Sequence, residues 1–127
     1  MFDLLAAALA APEIGQKLAL TATIAADWQA ADPRTLRHLV PENRLRVYDM
    51  RAVITALADT GSVLELRRGW GHGMVTALAR IEGRPVGIFA NNPHHLGGAI
   101  DPDAADKAAR FMQLCNAHGI PLLSLCD

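Results

Sequence analysis

The stretch from Arg84 to Asp101 constrains the fold most, because its character changes twice along a short length of chain. It begins with an apolar run, Val86–Ala90, which predicts a buried strand. Polar turn formers and a proline end that strand, and Gly97 and Gly98 follow just before a helix start. Such a loop presents bare backbone N–H groups, which can bind an anion or a developing oxyanion. Most Gly-Gly loops are nevertheless plain connections.

Length and charge exclude several classes of protein. The 127 residues suffice for one domain with a core, and a net charge of −1 does not attract nucleic acid or an acidic membrane surface. No apolar run is long enough to span a membrane, and Met1–Ala11 carries Asp3 and no basic residue, unlike a signal peptide. We therefore expect a cytoplasmic protein with no nucleic-acid or membrane partner.

The cysteines and histidines do not predict a metal site. Cys115 and Cys126 lie in apolar surroundings, which favours reduced, buried thiols over a disulfide. No Cys-x-x-Cys spacing is present. His94 and His95 are adjacent, so their side chains point apart, and we interpret them as loop residues.

Hydrophobic periodicity and turn residues predict helices followed by strands, one further helix and a final strand. The predicted helices are Phe2–Ala10, Glu13–Ala30, Met50–Ala58 and Pro102–His118, with a helical turn near Thr35–Val40. The predicted strands are Ser62–Leu66, Met74–Ile81, Val86–Ala90 and Pro121–Cys126, the middle two forming a hairpin at Glu82-Gly83.

The last part of the chain predicts an α/β fold. A strand, a loop, a helix and another strand require a parallel pair joined by a right-handed crossover. In the helix, Met112 is predicted on the buried face, whereas Asp103–Lys107 and Asp106–Arg110 are predicted as pairs on the exposed side. The final strand is apolar and predicted to be buried without a covering helix, which suggests part of a larger fold.

Several motifs in order resemble the β-type carboxyltransferase subunits of biotin-dependent acyl-CoA carboxylases. They occupy Val47–Ile54, Gly61–Leu66, Ala79–Asn92, Leu96–Asp101, Ala105–Phe111 and Leu125–Asp127. Each motif alone is modest, but together in this order they are specific. The resemblance implies a crotonase-like (ClpP/crotonase) fold of ββα units, with residues 1–40 as a helical N-terminal segment and 41–127 as part of the family's C-terminal subdomain.

The resemblance also implies a reaction, partners and site residues. The family transfers a carboxyl group between carboxybiotin, carried by a partner, and an acyl-CoA such as propionyl-CoA or acetyl-CoA. By this match the N–H groups of Gly98 and Ala99 are oxyanion donors, and Gly97, Asn92 and His95 contact substrate. No cofactor is expected to bind the chain directly. The expected partners are the other half of the carboxyltransferase, the biotin carrier or biotin carboxylase subunit, and further copies of the chain.

The family's second oxyanion donor and its N-terminal half have no counterpart in this sequence. We therefore expect a fragment or truncated form that is inactive alone. Two alternatives remain, namely a non-catalytic module that completes a separate partner and a small CoA-thioester-binding protein. Trp70 is open between a ligand contact and core packing, and Asp127 between catalysis and a turn.

Overall fold

The computed structural model describes residues 27–43 and 45–127 and has a mixed α/β architecture, which confirms the predicted class. The described helices are α1 (Leu36–Leu39), α2 (Met50–Leu57) and α3 (Pro102–Ala117). The described strands are β1 (Leu64–Leu66), β2 (Met74–Ile81), β3 (Arg84–Asn91) and β4 (Leu122–Leu125). Short 3-10 turns occupy Pro33–Thr35 and Leu96–Gly98.

The N-terminal helix predictions have mixed outcomes. The predicted helix Phe2–Ala10 lies outside the described residues. Of Glu13–Ala30 only 27–30 is described, and the helix prediction is wrong there, because Ala30 forms a β-bridge with Asp59. The helical turn near Thr35–Val40 is confirmed. No helix in the described ranges is long and apolar enough to cross a membrane.

The four strands form one sheet in the order β1-β2-β3-β4. The predicted hairpin is confirmed, since β2 and β3 pair antiparallel around Glu82 and Gly83, whose φ angles are 52° and 75°. The Asp59 carboxylate accepts the N–H groups of both turn residues at 3.0 and 2.8 Å. The predicted parallel pair is confirmed as well, with β3 beside β4.

One helix covers each face of the sheet, because successive strand residues point to opposite sides. Val75 and Ala79 of β2 pack with α2, whereas Leu78 and Met74 pack with α3. The α2 cluster contains Met50, Ile54, Ala58, Val75, Ala79, Ile88 and Ala90. The α3 clusters contain Leu78, Phe111 and Cys115, and Met74, Ala104 and Ala108.

The α3 helix packs closely on β3 at Gly87. A Cβ on Gly87 would lie 2.5 Å from Cys115 Sγ and 3.2 Å from atoms of Phe111 and Leu122. Cys115 is fully buried, and burial raises the pKa of its thiol to about 11. Cys115 and Cys126 are both free, but Cys126 is exposed, so the prediction of a buried thiol is wrong there.

The structure overturns two predictions for α3. Lys107, predicted on the exposed side, has 0% exposure, and its Nζ donates to the carbonyls of Trp70 at 2.9 Å and Gly71 at 3.4 Å. Position 107 lies on the same helical stripe as Ala104 and Phe111, so the apolar spacing already placed it inward. Met112, predicted to be buried, is 37% exposed.

The final strand also differs from its prediction. In the described sheet β4 lies at the edge beside β3, and its residues alternate between exposed and half-buried rather than being buried. Leu122 is 42% exposed. A short apolar run does not distinguish a central strand from an edge strand, because that depends on how many neighbours it pairs with.

Substitution of Gly87 tests the close approach of α3. Gly87→Ala should reduce the free energy of unfolding by about 1–3 kcal/mol, because the added methyl overpacks the Cys115 contact. Urea denaturation measures the loss. Gly69→Ala is the control, since a Cβ there meets nothing within 4 Å. Adding Cys115→Ala to Gly87→Ala should recover part of the loss, and equal stability of the two glycine variants would contradict the packing.

The buried Lys107 should give the protein a distinctive alkaline stability profile. Burial lowers the pKa of Lys107 below its usual value of 10.5. At pH values between the folded-state pKa and 10.5, the folded protein therefore binds fewer protons than the unfolded protein. The free energy of unfolding of the wild type, relative to Lys107→Met, should therefore rise as pH rises through that window. Arg110→Met, on the same helix, is the control and should show no such trend. A flat difference between wild type and Lys107→Met across the alkaline range would contradict the lowered pKa of Lys107.

Candidate functional site

The candidate site is the loop that leads from the carboxyl end of β3 to the first turn of α3. Its 3-10 turn contains three successive positive φ angles, at Leu96 (49°), Gly97 (64°) and Gly98 (92°). Glycine adopts such angles without cost, but a residue with a Cβ does not, so the Leu96 backbone is strained. The Leu96 side chain is also 68% exposed, so its own burial does not offset that strain.

Both N–H groups predicted as oxyanion donors are hydrogen-bonded inside the loop. Gly98 N–H donates to the carbonyl of His95 at 2.9 Å, and Ala99 N–H donates to the carbonyl of Leu96 at 3.2 Å. In this conformation the two groups close the turn. A ligand oxygen would have to take the place of those carbonyls.

The Asn91 side chain joins this turn to the end of β4. Asn91 is 7% exposed, and its Nδ2 donates to the main-chain oxygens of Gly98 at 3.0 Å and Asp127 at 3.2 Å. Its Oδ1 accepts the N–H of Asp127 at 2.9 Å. In the sequence, Asn91 is predicted only as one of the polar turn formers that end the strand. The one sequence signal was an amide side chain at the end of an otherwise apolar strand.

Tyr48 adds a further contact at Asp127. The pKa of the Tyr48 hydroxyl is raised, first by burial and then by the nearby Asp127 carboxylate. Residues from three motifs that are distant in sequence, Tyr48, Asn91 and Asp127, thus meet beside the Gly98 turn. This places Asp127 within a hydrogen-bonded network.

His95 faces the helix start. Its Nε2 lies 3.0 Å from Asp101 Oδ2, while Asp101 Oδ1 accepts the Ala104 N–H at 2.8 Å as the cap of α3. The Ala104 N–H and then His95 hold the pKa of Asp101 below its usual value. The His72 ring lies 6.3 Å from the His95 ring, between centroids. Across the described ranges no group of three or more His, Cys, Asp and Glu could hold a metal ion.

Asn92 turns inward. It is 4% exposed, its N–H donates to the Gly73 carbonyl at 3.0 Å, and its Oδ1 accepts the His94 N–H at 3.3 Å. The 69–73 loop, which lies between β1 and β2, therefore contacts the candidate site through this hydrogen bond. Lys107 holds that loop against α3 through the two carbonyl contacts described above.

A groove of about 690 Å³ lies elsewhere, between α2 and β1. Arg51 crosses it to Glu65, with Nη2 2.7 Å from Oε1 and Nε 2.9 Å from Oε2. None of the five residues predicted as site residues lines the groove. The structure thus brings Asn92, His95, Gly97, Gly98 and Ala99 together in one loop but does not place them in that groove.

The sequence of residues 10–127 matches the family model described as the carboxyl transferase domain. This chain belongs to the carboxyl transferase family. The match begins well before residue 40, where the motif resemblance began. The division of the chain into 1–40 and 41–127 remains a prediction.

Curated relatives give the family's subunit type. The chain is 46% identical over 90 residues to a biotin-dependent acetyl-/propionyl-coenzyme A carboxylase beta6 subunit of Mycobacterium tuberculosis, covering 70% of this chain and 19% of that protein. It is 45% identical over 92 residues to the methylmalonyl-CoA carboxyltransferase 12S subunit of Propionibacterium freudenreichii, covering 72% and 18%. The chain thus spans about a fifth of the length of these relatives.

Solved structures share the architecture. A single-chain, multi-domain long-chain acyl-CoA carboxylase superposes with a TM-score of 0.87 at 53% identity, covering 91% of this chain and 12% of that one. The transcarboxylase 12S structure, described as a hexamer with hydrolysed methylmalonyl-coenzyme A bound, gives 0.72 at 42% identity, covering 77% and 19%. The mixed α/β fold therefore corresponds to part of known carboxyltransferase structures.

Proposed function

We propose that this chain contributes part of an active site that transfers a carboxyl group from carboxybiotin to an acyl-CoA such as acetyl-CoA or propionyl-CoA. The observation that supports a role for particular residues is the strained turn at Leu96–Gly98, which follows the carboxyl end of β3. Backbone strain at a ligand-facing loop is typical of functional sites. The names of the relatives support the reaction class.

The N–H groups of Gly98 and Ala99 are the proposed oxyanion donors. Preorganised N–H groups stabilise the negative charge that develops on the ureido oxygen of biotin or on the thioester enolate as the carboxyl group moves. A charged oxygen is a stronger acceptor than the neutral carbonyls of His95 and Leu96, which those N–H groups bond in the structure. Substrate would therefore displace those carbonyls and open the turn.

The remaining proposed substrate contacts are Gly97, His95 and Asn92. A Cβ on Gly97 would meet nothing within 4 Å, which leaves that position open to a ligand. The His95 side chain is 32% exposed and its ring is oriented by Asp101. Asn92 is nearly buried, so its contribution would come through the loop backbone. Biotin, carried by a partner, would supply the carboxyl group.

The rest of the active site is proposed to come from other protein. The chain spans about a fifth of its relatives, and one related structure is described as a hexameric multienzyme core. We infer that this chain pairs with the other half of a carboxyltransferase, with the biotin carrier or biotin carboxylase subunit, and with further copies of itself. The β2–β3–α3 succession supports assignment to the crotonase-like ββα fold.

Complementation tests this function. The purified chain should show no carboxyl transfer between malonyl-CoA and biotin, because it matches only about a fifth of the length of its relatives. Mixed with a carboxylase beta subunit lacking the matching segment, it should restore turnover. Tight association without turnover would favour a non-catalytic module instead. CoA affinity of the chain alone, measured by calorimetry, would favour the small CoA-thioester binder.

Removal of one N–H group tests the oxyanion role. Ala99 has a φ of −64°, which suits proline, so Ala99→Pro deletes the N–H at an allowed φ. Its ring also displaces the Leu96 carbonyl that the N–H bonds at 3.2 Å, as substrate is proposed to do. In the complemented enzyme kcat should fall by about 10²–10³-fold. Ala99→Ser keeps the N–H and is the control.

Equal rates for Ala99→Pro and Ala99→Ser, with equal melting temperatures, would remove the oxyanion role. Gly98 is a poorer position for this test. At a φ of 92°, with Asn91 Nδ2 3.0 Å from an added Cβ, any side chain strains the backbone whether or not the N–H binds substrate.

A further inference from the structure

Asn91 uses all of its hydrogen-bonding groups on two backbone segments that are far apart in sequence. The two N–H bonds of its amide serve the Gly98 and Asp127 oxygens, and its oxygen serves the Asp127 N–H. The side chain is 7% exposed, so water does not readily replace these partners. Only an amide combines donors and an acceptor in this way, since a carboxylate does not donate.

The contact with the Gly98 oxygen also affects the N–H of Ala99, because a peptide unit is planar and rigid. The carbonyl of Gly98 and the N–H of Ala99 belong to the same peptide unit and point in opposite directions. When Asn91 Nδ2 holds the Gly98 oxygen at 3.0 Å, it also sets the direction of the Ala99 N–H. A hydrogen bond to the carbonyl also polarises the peptide and strengthens its N–H as a donor.

The same peptide needs this support. Gly97 and Gly98 both lack a side chain that would restrict their dihedral angles, and Gly98 has a φ of 92°. The Ala99 N–H bond to Leu96 is 3.2 Å long, and substrate would have to break it. Once that bond is broken, the hydrogen bond from Asn91 Nδ2 to the Gly98 oxygen still orients the peptide.

We infer that Asn91 is a positioning residue, which aims the Ala99 N–H at the substrate oxygen by holding the Gly98 carbonyl. This inference rests on the proposed function. Asn91 touches no substrate and acts through the backbone. It also couples the turn to the end of β4, because the same amide binds Asp127.

The first test uses the 127-residue chain alone and needs no activity. Asn91→Asp keeps the size and the Oδ1 acceptor but replaces both donors by a carboxylate facing two main-chain oxygens. Amide hydrogen exchange measured by NMR should become about tenfold faster at Gly98 and Ala99, with exchange in the centre of β2 unchanged. Asn116→Asp changes an exposed amide on α3 and is the control, with no change expected at the turn.

The second test is a double-mutant cycle in the complemented carboxyltransferase. Asn91→Asp should lower kcat by about 10²-fold, as expected for a misplaced catalytic group, while KM changes little. In the Ala99→Pro background, where the N–H is already absent, Asn91→Asp should cause little further loss. Purely structural damage would instead multiply the two losses.

The outcomes separate the two proposals. Unchanged exchange at Gly98 and Ala99 in Asn91→Asp overturns the positioning role, whatever the activity. Faster exchange together with non-additive kcat losses supports it. Additive losses show that Asn91 acts by another route and overturn it. If exchange is faster in Asn91→Asp but Ala99→Pro keeps full activity, Asn91 still holds the turn, but the oxyanion function is excluded. The inference is then overturned with it.

Discussion

The close packing of α3 on the sheet determines where the rest of the structure lies. Gly87 lets the helix come within contact of β3, where Cys115 and Phe111 fill the space a side chain would take. The first turn of α3 is thereby fixed over the ends of β2 and β3, with Ala104 against Met74. Because both ends are fixed, the chain between Asn91 and Pro102 must cross a short distance in a tight loop.

That tight loop explains the unusual backbone of the candidate site. Successive positive φ angles turn the chain sharply, and the N–H groups of Gly98 and Ala99 donate to carbonyls of the same loop. Asn91 then ties the turn to β4. Hydrogen bonds hold this loop, and its strain lies at Leu96, a residue with a Cβ and a positive φ.

Buried polar residues show where the sequence was least informative. Lys107 has the spacing of a buried residue, but charge favoured an exposed interpretation, and the carbonyls that accept its hydrogen bonds come from the distant 69–73 loop. Asn91 has the same difficulty, since its partners lie at Gly98 and Asp127. The cost of burying such groups is offset only by partners that the tertiary structure brings together.

The sequence by itself determined the hairpin, the helix start after Gly98, the parallel return to β4 and the family, because these depend on turn residues, periodicity and motifs that are local in the chain. Only the tertiary structure decided the edge position of β4, the burial of Lys107 and the internal bonding of the candidate N–H groups. Each of these depends on which distant atoms come within hydrogen-bonding or packing distance. A one-dimensional pattern specifies which groups must find partners, whereas the packed fold specifies which partners they find.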